Sequence, residues 1–358
     1  MGRKIKIPPM LDPHVHLRGM DWSHKGDFYT ETCAAAAGGY WAVFDMPNTP
    51  PATLDRTALD HKLQAINHQA VCDWGVYFCA GANQNWGQYP LVINDICGLK
   101  MFNNSTTGNL LVDDPTVREE HFKHWDGNKI FAQHAENETC REIINLVRKY
   151  RKPTHILHVC TKLEVDLIRQ AKNDGLPITC GACPHHLWLT QADLTRLGSL
   201  GWMKPPLQTQ QDQDALWQGI VDGVIDIIES DHAPHTLEEK SSTPPPYGVP
   251  GLETTLPLLL TAVHEGRLTL ARVIEMVSIN PCRIYGIVPP PETYTVVDLD
   301  TSEIITGDKL HTKVKWSPFE GMRVQGKVIE TWVRGTQVYD GENILVKPGF
   351  GKNVYAHS

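Results

Sequence analysis

The sequence predicts an α/β fold, a (β/α)8 TIM-like barrel followed by a small C-terminal β appendage. Up to about residue 285, short apolar runs alternate with longer amphipathic stretches, and eight such strand–helix units are typical of a closed barrel. The alternative is an open doubly wound sheet, which usually carries a glycine-rich phosphate-binding turn after its first strand. The first apolar run of this sequence is followed by no such turn, so the barrel is favoured.

Eight short apolar runs are the predicted strands of the barrel. They are Ile5–Asp12, Trp41–Asp45, Val71–Phe78, Ile96–Lys100, Ile130–His134, Thr154–His158, Pro177–Cys180 and Ile225–Asp231. Between the strands, apolar residues recur at spacings of three and four, which predicts amphipathic helices. These helices are Thr30–Ala37, Leu54–His68, Asp114–Trp125, Glu138–Tyr150, Lys162–Asp174 and Gln210–Val221.

The character of the chain changes after Asn280 and Pro281. Residues 294–358 are rich in Val, Ile and Thr and contain glycine turns, which predicts strands. The proline run Pro289–Pro291 is interpreted as a linker in front of them. We therefore expect a barrel over residues 1–288 and a small β-rich appendage over residues 289–358, packed on the barrel.

The composition excludes several classes of protein. Of 358 residues, 41% are hydrophobic and 21% charged, which is typical of a soluble protein of enzyme size. Apolar runs stay well short of the roughly 20 residues that cross a bilayer, and no signal-peptide stretch precedes Pro8. A net charge of -8 disfavours a nucleic-acid partner. Nine cysteines, an odd number, fit reduced thiols, so we expect a cytoplasmic protein without a membrane partner.

Histidines and other polar residues stand at the ends of the predicted strands, where barrel enzymes place their chemistry. His14 and His16 are two residues apart, and alternate residues of a strand face the same way, so both rings can bind one metal ion. The residues at the other strand ends are Asn48, Lys100, His134, His158 and Asp231. Histidine and carboxylate ligands at one mouth of a barrel predict a catalytic zinc centre.

Lys100 does not fit this centre as an ammonium group, because metal cations would repel it. It must therefore lie elsewhere or lose its charge. A neutral lysine amine can add carbon dioxide and become a carbamate, an anionic ligand whose two oxygens can bridge two metals.

Two further pairs of metal-ligating residues are left out of the site. Cys180 and Cys183 form a C-x-x-C without the second pair that a zinc ribbon requires, and we interpret them as the end of a buried strand. His185 and His186 are adjacent, and adjacent residues of a strand face opposite ways, so at most one can face the pocket.

Several segments together resemble the dihydroorotases of the amidohydrolase superfamily. They are His14-Val-His16-Leu-Arg18, Met46-Pro-Asn48-Thr, Gly98-Leu-Lys100, His134-Ala-Glu136, Leu157-His158-Val, Pro184-His-His186-Leu and Ser230 to Lys240. The resemblance runs from about residue 8 to the C-terminus and is closest to the dihydroorotase domain of the animal multifunctional pyrimidine protein. H-x-H is generic to the superfamily, whereas the string from Asp231 to Lys240 is much more specific.

The resemblance implies a metal-dependent hydrolase with two Zn2+ ions, bridged by carboxylated Lys100 and a hydroxide. The implied ligands are His14, His16, Lys100 and Asp231 for one ion, and Lys100, His134 and His158 for the other. Asp231 would act as general base and then general acid. The implied reaction interconverts dihydroorotate and N-carbamoyl-L-aspartate in de novo pyrimidine biosynthesis.

The resemblance also implies residues that contact the substrate. Arg18, Asn48 and His235 match the positions that bind its carboxylate, and a planar guanidinium suits that group. The polar loop after Lys100 is a candidate lid, which would present Thr106 or Thr107 to the substrate.

The sequence departs from the pattern of its animal relatives in three places. Leu157 and Gly181 stand where those relatives have a Cys and a Glu that hold a third zinc, so a third metal is not expected. Lys204 replaces an Arg that helps to hold substrate, which exchanges a forked donor for a point charge.

Two other functions are kept as alternatives. One is a different cyclic amidase, such as a hydantoinase or allantoinase, with the same metals and another ring. The other is a noncatalytic scaffold for aspartate transcarbamoylase, although such relatives lose metal ligands and this sequence retains them. The sequence leaves open whether the chain forms a homodimer or associates with aspartate transcarbamoylase.

Overall fold

A computed structural model describes residues 3–356 and confirms the predicted barrel. The strands are β1 (Lys4–Ile7), β2 (Met10–Val15), β3 (Tyr40–Asp45), β4 (Asp73–Ala80), β5 (Gly98–Phe102), β6 (Ile130–His134), β7 (Thr154–Ile156), β8 (Ile178–Ala182), β9 (Ile227–Ile228), β10 (Tyr294–Ile304), β11 (Arg323–Val333) and β12 (Thr336–Tyr339). Strands β2 to β9 form one parallel sheet in chain order. A parallel bridge between Val15 and His232 brings the two edges of this sheet together.

Helices cover the outside of the barrel. They are α1 (Phe28–Ala37), α2 (Arg56–Asn67), α3 (Tyr89–Val92), α4 (Pro115–His124), α5 (Glu138–Tyr150), α6 (Lys162–Asn173), α7 (Pro184–Trp188), α8 (Leu194–Leu197), α9 (Gln210–Val221), α10 (Leu237–Lys240), α11 (Leu252–His264), α12 (Leu270–Ile274) and α13 (Asn280–Tyr285). All six predicted helices are present, with ends shifted by up to two residues. Their starts follow from side-chain caps, as at Asp27, Asp55 and Thr161, which accept backbone N–H groups of the first turn.

The predicted first strand, Ile5–Asp12, is two strands in the structure. Pro8 and Pro9 separate β1 from β2, because proline has no N–H to donate to a ladder. β1 pairs antiparallel with β10, and the order of the second sheet is β1-β10-β11-β12. The N-terminal strand therefore completes the small sheet, while β2 begins the barrel.

The small sheet is bonded to the barrel at several points. Thr295 and Thr331 donate side-chain hydrogen bonds to the carbonyls of Gly39 and Ala36, each at 2.7 Å. The chain then returns to the barrel, where the N–H of Trp74 donates to the carbonyl of Lys352 at 2.9 Å. The proposed division at residue 288 stays a prediction. β1, which precedes this residue, belongs to the small sheet, and Lys352, which follows it, contacts the barrel.

The barrel strands are buried on both faces, as expected of a parallel sheet covered by helices. Trp41, Trp74 and Trp125 are among the largest side chains in this core. Within residues 3–356, every helix falls short of the length and apolarity that crossing a lipid bilayer requires.

Candidate active site

All predicted site residues except His235 line one cavity at the carboxyl ends of the barrel strands. The residues that line it are His14, His16, Arg18, Asn48, Lys100, Phe102, Thr106, Thr107, His134, His158, Lys204, Asp231, Ala233, Tyr247 and Gly248. His158 and Asp231 were predicted as the last residues of their strands, but they lie beyond them, because β7 ends at Ile156 and β9 at Ile228. His158 and Asp231 have positive φ angles of 38° and 45°, a strained conformation that is concentrated at functional sites.

His14, His16 and Asp231 form the first group of candidate ligands. The Nε2 atoms of His14 and His16 lie 3.1 and 3.2 Å from Oδ1 of Asp231. Burial would raise the pKa of Asp231, but the two histidines outweigh it and hold that pKa well below its usual value. The Asp231 carboxyl is therefore ionised, with two imidazole nitrogens directed at the same oxygen.

Lys100 lies in the cavity without a partner for its amine. Its side chain is completely buried, and Nζ has no hydrogen-bond partner within residues 3–356. Burial lowers the pKa of Lys100 to about 7, although Asp231 and Glu229 oppose this shift. The alternative that Lys100 lies elsewhere is therefore wrong, and a neutral or modified amine fits the cavity better than an ammonium ion.

His134 and His158 form the second group of candidate ligands. Their ring centroids are 4.6 Å apart, and the ring of His158 lies 5.2 Å from that of His14. Burial is the main cause that lowers the pKa of both rings, so both are neutral, which is the form that binds metal. Nε2 of His134 lies 2.9 Å from Glu136, whereas Nδ1 of His158 has no hydrogen-bond partner within the described chain.

The predicted carboxylate-binding residues divide between the cavity wall and the layer behind it. Arg18 and Asn48 line the cavity, but His235 does not. His235 is completely buried behind Arg18, with its Nε2 3.0 Å from Nη2 of the guanidinium. On its other side, Nδ1 of His235 lies 3.1 Å from Glu239, which Lys25 also contacts. Direct contact between His235 and a substrate stays a prediction.

The loop after β5 lies across the cavity. Thr107 donates from Oγ1 to the carbonyl of Tyr247 at 2.9 Å, and its own carbonyl accepts from Nδ2 of Asn48 at 3.1 Å. The other end of the Asn48 amide, Oδ1, lies 2.8 Å from Nδ1 of His16. Asn48 therefore connects His16 to the loop through hydrogen bonds. Movement of this loop as a lid stays a prediction.

Glu229 was not predicted from the sequence, and it contacts His14 and His158 from beneath the cavity. Its carboxylate is completely buried, accepts a 2.5 Å hydrogen bond from the N–H of His158, and lies 3.6 Å from Nδ1 of His14. A Cβ on Gly181 would lie 2.6 Å from this carboxyl, so glycine there leaves room for Glu229. Because Glu229 follows β9 in an apolar run, the sequence carried no periodic signal that could have identified it.

The interpretation of His185 and His186 as strand residues is wrong. Cys183 ends the extended segment, and both histidines lie in the first turn of α7, which begins at Pro184. Proline is favoured at the first position of a helix, and this was the signal in the sequence that could have corrected the prediction. The side chains of Cys183, His185 and His186 are all buried.

Comparisons with known proteins identify the family. The chain is 42% identical over 353 residues to multifunctional protein CAD of Squalus acanthias, covering 98% of this chain and 16% of that protein. It is 34% identical over 364 residues to the dihydroorotase of Pyrococcus furiosus, covering 96% of this chain and 84% of that enzyme. The chain belongs to the dihydroorotase family.

Structural comparison shows that the chain shares its fold with a solved hydantoinase. L-Hydantoinase (dihydropyrimidinase) from Arthrobacter aurescens has a TM-score of 0.94 at 26% identity, covering 98% of this chain and 89% of that one. A comparison with protein-family models gives no match. As a member of the dihydroorotase family, the chain is a hydrolase of the class that acts on a cyclic amide. The chain spans 16% of the length of the multifunctional relative, so that similarity concerns one segment of a longer protein.

Proposed function

We propose that this chain is a zinc-dependent dihydroorotase that interconverts dihydroorotate and N-carbamoyl-L-aspartate. The observation that carries this proposal is that all six proposed metal ligands and the buried guanidinium of Arg18 line one cavity. The ligands suit a hydrolytic metal centre, and the guanidinium suits a substrate that carries a carboxylate.

The chemistry of the donor set fits two zinc ions. Four imidazoles and one ionised carboxylate are ligands of the type that zinc binds. Nζ of Lys100 and Nδ1 of His158 are buried without hydrogen-bond partners, and such atoms cost free energy unless something else satisfies them. His14, His16, Lys100 and Asp231 would hold one ion, and carboxylated Lys100, His134 and His158 the other. When bound, zinc lowers the pKa of a coordinated water and polarises the amide carbonyl.

Asp231 is the residue that we expect to move the proton. Its carboxyl is ionised, lies on the cavity wall, and is held by His14 and His16 through Oδ1. An ionised carboxylate at this position can accept the proton of the attacking water and deliver it to the leaving ring nitrogen. In the reverse direction, the same carboxyl would return this proton to the departing hydroxide, which leaves as water.

Arg18 and Asn48 are the residues that we expect to orient the substrate. Arg18 keeps its charge in spite of burial, because its pKa is lowered only to about 10. A guanidinium fixed by Pro234 and His235 can bind the substrate carboxylate without losing further side-chain freedom. The loop that contains Thr106 and Thr107 would then exclude water from the bound ring.

The setting of this activity is proposed from the composition and the relatives. All nine cysteines are free thiols, which supports a reducing compartment such as the cytoplasm. Similarity to a segment of a multifunctional protein supports a linked or associated second enzyme, for which aspartate transcarbamoylase is the predicted partner. The predicted homodimer has no supporting contact in a single chain and stays a prediction.

A comparison of two substrates tests the proposed function. Zinc-loaded protein should open dihydroorotate and should act weakly on hydantoin, which has no carboxylate for Arg18 to bind. Arg18→Ala should lower kcat/KM for dihydroorotate by about 100-fold or more, because one charged hydrogen-bonding partner is lost, and should change hydantoin turnover far less. Equal rates on both substrates would instead favour a hydantoinase.

A further inference from the structure

A second cluster of metal-ligating side chains lies beside the candidate active site, where β8 passes into α7. Cys183 directly precedes α7, and His185 and His186 lie in its first turn. One ligand atom from each of these residues lies within 4.8 Å of the other two, and all three residues are buried. The proposed hydrolysis and its pair of zinc ions use none of the three.

The two rings present nitrogen atoms that the protein leaves without partners. Nε2 of His185 and Nδ1 of His186 have no hydrogen-bond partner within residues 3–356, although both residues are only 2% exposed. Nε2 of His186 lies 3.0 Å from the carbonyl oxygen of Pro205 and therefore carries the ring proton. The lone pair of His186 is then on Nδ1, the atom that lacks a partner.

The protonation of both rings favours a cation over a hydrogen-bonded anion. Burial is the main cause that lowers the pKa of each ring, to about 4 for His186 and well below the ordinary value for His185. Neutral imidazole is the form that binds metal. The ring centroids are 4.3 Å apart and the planes are inclined by 64°, so the two rings meet edge to face rather than stacking.

From this juxtaposition we propose that Cys183, His185 and His186 form a further binding site for a divalent cation of the zinc class. One sulfur and two imidazole nitrogens are ligands that select zinc over magnesium or calcium. Ligand atoms around zinc are roughly 3.3–3.8 Å apart when the bonds are about 2.0–2.3 Å long, so a contraction of about 1 Å completes the site. Binding replaces the S–H bond with a metal–sulfur bond and releases the proton to solvent.

The place of this cluster gives the cation a structural role next to the substrate. His186 contacts the carbonyl of Pro205, and the preceding residue, Lys204, lines the active-site cavity. A cation that fixes His186 would thereby hold the segment that carries Lys204 against α7. Occupancy should therefore stabilise the folded chain and restrict the position of the Lys204 side chain.

Cobalt substitution tests the proposal, because a cobalt–thiolate bond gives a charge-transfer absorption in the near ultraviolet. The two ions of the active site are expected to bind histidine, carbamate and carboxylate, so a thiolate signal reports the new cluster alone. Full-length protein loaded with Co2+ alone should show the band. Cys183→Ala should lose the band and about one equivalent of metal, whereas Cys180→Ala, a buried cysteine three residues away, should keep both.

Two results would overturn the proposal. One is a cobalt-loaded wild-type chain without a thiolate band, and the other is a band or metal content that Cys183→Ala leaves unchanged. If Cys183→Ala does not fold, His186→Gln replaces it and should also lose about one equivalent of metal. Failure of dihydroorotate turnover would leave these results unaffected, so the proposed reaction and the proposed cation site are tested separately.

Discussion

Nη2 of Arg18 donates a hydrogen bond to Nε2 of His235 at 3.0 Å, and this contact fixes the guanidinium at the cavity wall. Nε2 of His235 also lies 3.0 Å from the carbonyl oxygen of Tyr247, and Nδ1 lies 3.1 Å from the carboxylate of Glu239 and 3.2 Å from Nζ of Lys25. Burial, with Arg18 as the next cause, lowers the pKa of His235 to about 3, so the ring stays neutral at physiological pH. Glu239 and Lys25 thus hold the ring of the histidine that contacts Arg18.

Replacing Glu239 tests this positioning role. Glu239→Ala should raise KM for dihydroorotate by roughly tenfold, equivalent to about 1.4 kcal/mol, while kcat changes little, because binding of the carboxylate is impaired. Glu239→Gln keeps a hydrogen-bonding side chain of the same length beside Nδ1 and should restore most of the affinity. Glu238→Ala, on the exposed side of the same helix, is the control. An equal loss in Glu239→Ala and Glu239→Gln would contradict the hydrogen-bond argument.

Carbon-13-labelled bicarbonate can test the modification of Lys100. The pKa of about 7 leaves a large neutral fraction of the amine at physiological pH, and neutral amine is the form that adds carbon dioxide. We expect one carbamate resonance in the zinc-loaded protein and none in Lys100→Gln. Lys204→Gln removes another lysine that lines the same cavity and should keep the signal. A resonance that follows Lys204 instead would show that the bridging ligand was assigned to the wrong residue.

The space beside Glu229 predicts the effect of a single added methyl group. Gly181→Ala would place Cβ 2.6 Å from a carboxyl that is held by the N–H of His158, so the carboxyl must move. We expect a loss of about 1–3 kcal/mol in the free energy of unfolding, the usual cost of overpacking. Gly87→Ala is the control, because its Cβ would meet nothing within 4 Å. Denaturant unfolding of both variants measures the difference, and equal stability would show that Glu229 moves without cost.

The sequence predicted the barrel and most of the cavity because both leave local patterns. Strand–helix alternation is visible in apolar spacing, and the H-x-H of His14 and His16 follows from the geometry of one strand. The positions of Lys100 and Asp231 could be predicted because parallel strands bring their carboxyl ends together. These signals need no knowledge of which side chains meet across the barrel.

The rest of the site depends on contacts that sequence spacing does not encode. Glu229 meets Gly181 across two neighbouring strands, and such a pair becomes visible only when the register of β8 and β9 is known. Helix α7 has five residues, too few to show helical periodicity, so His185 and His186 were assigned to a strand. The division of the first strand was detectable, since Pro8 and Pro9 interrupt it, but its pairing with β10 spans almost the whole chain.

An ion pair between the appendage and α11 predicts how stability depends on pH. Nδ1 of His311 lies 3.1 Å from Oε1 of Glu253, and this hydrogen bond is the main cause that raises the pKa of His311. A folded-state pKa above the unfolded value of about 6.5 means that the folded chain binds the proton more tightly. The stabilisation is therefore complete below about pH 6.5 and is lost as pH rises through the folded-state pKa.

Substitution of His311 should consequently cost more in acid than in base. We expect His311→Gln to lower the free energy of unfolding by about 1 kcal/mol at about pH 6 and by much less at about pH 9, because the partly exposed pair is screened by solvent. His61→Gln, at an exposed position of α2, should show no such difference. Urea unfolding at both pH values measures the effect. A penalty that is equal at both pH values would mean that His311 contributes by packing, because loss of a charged contact must follow the titration of the ring.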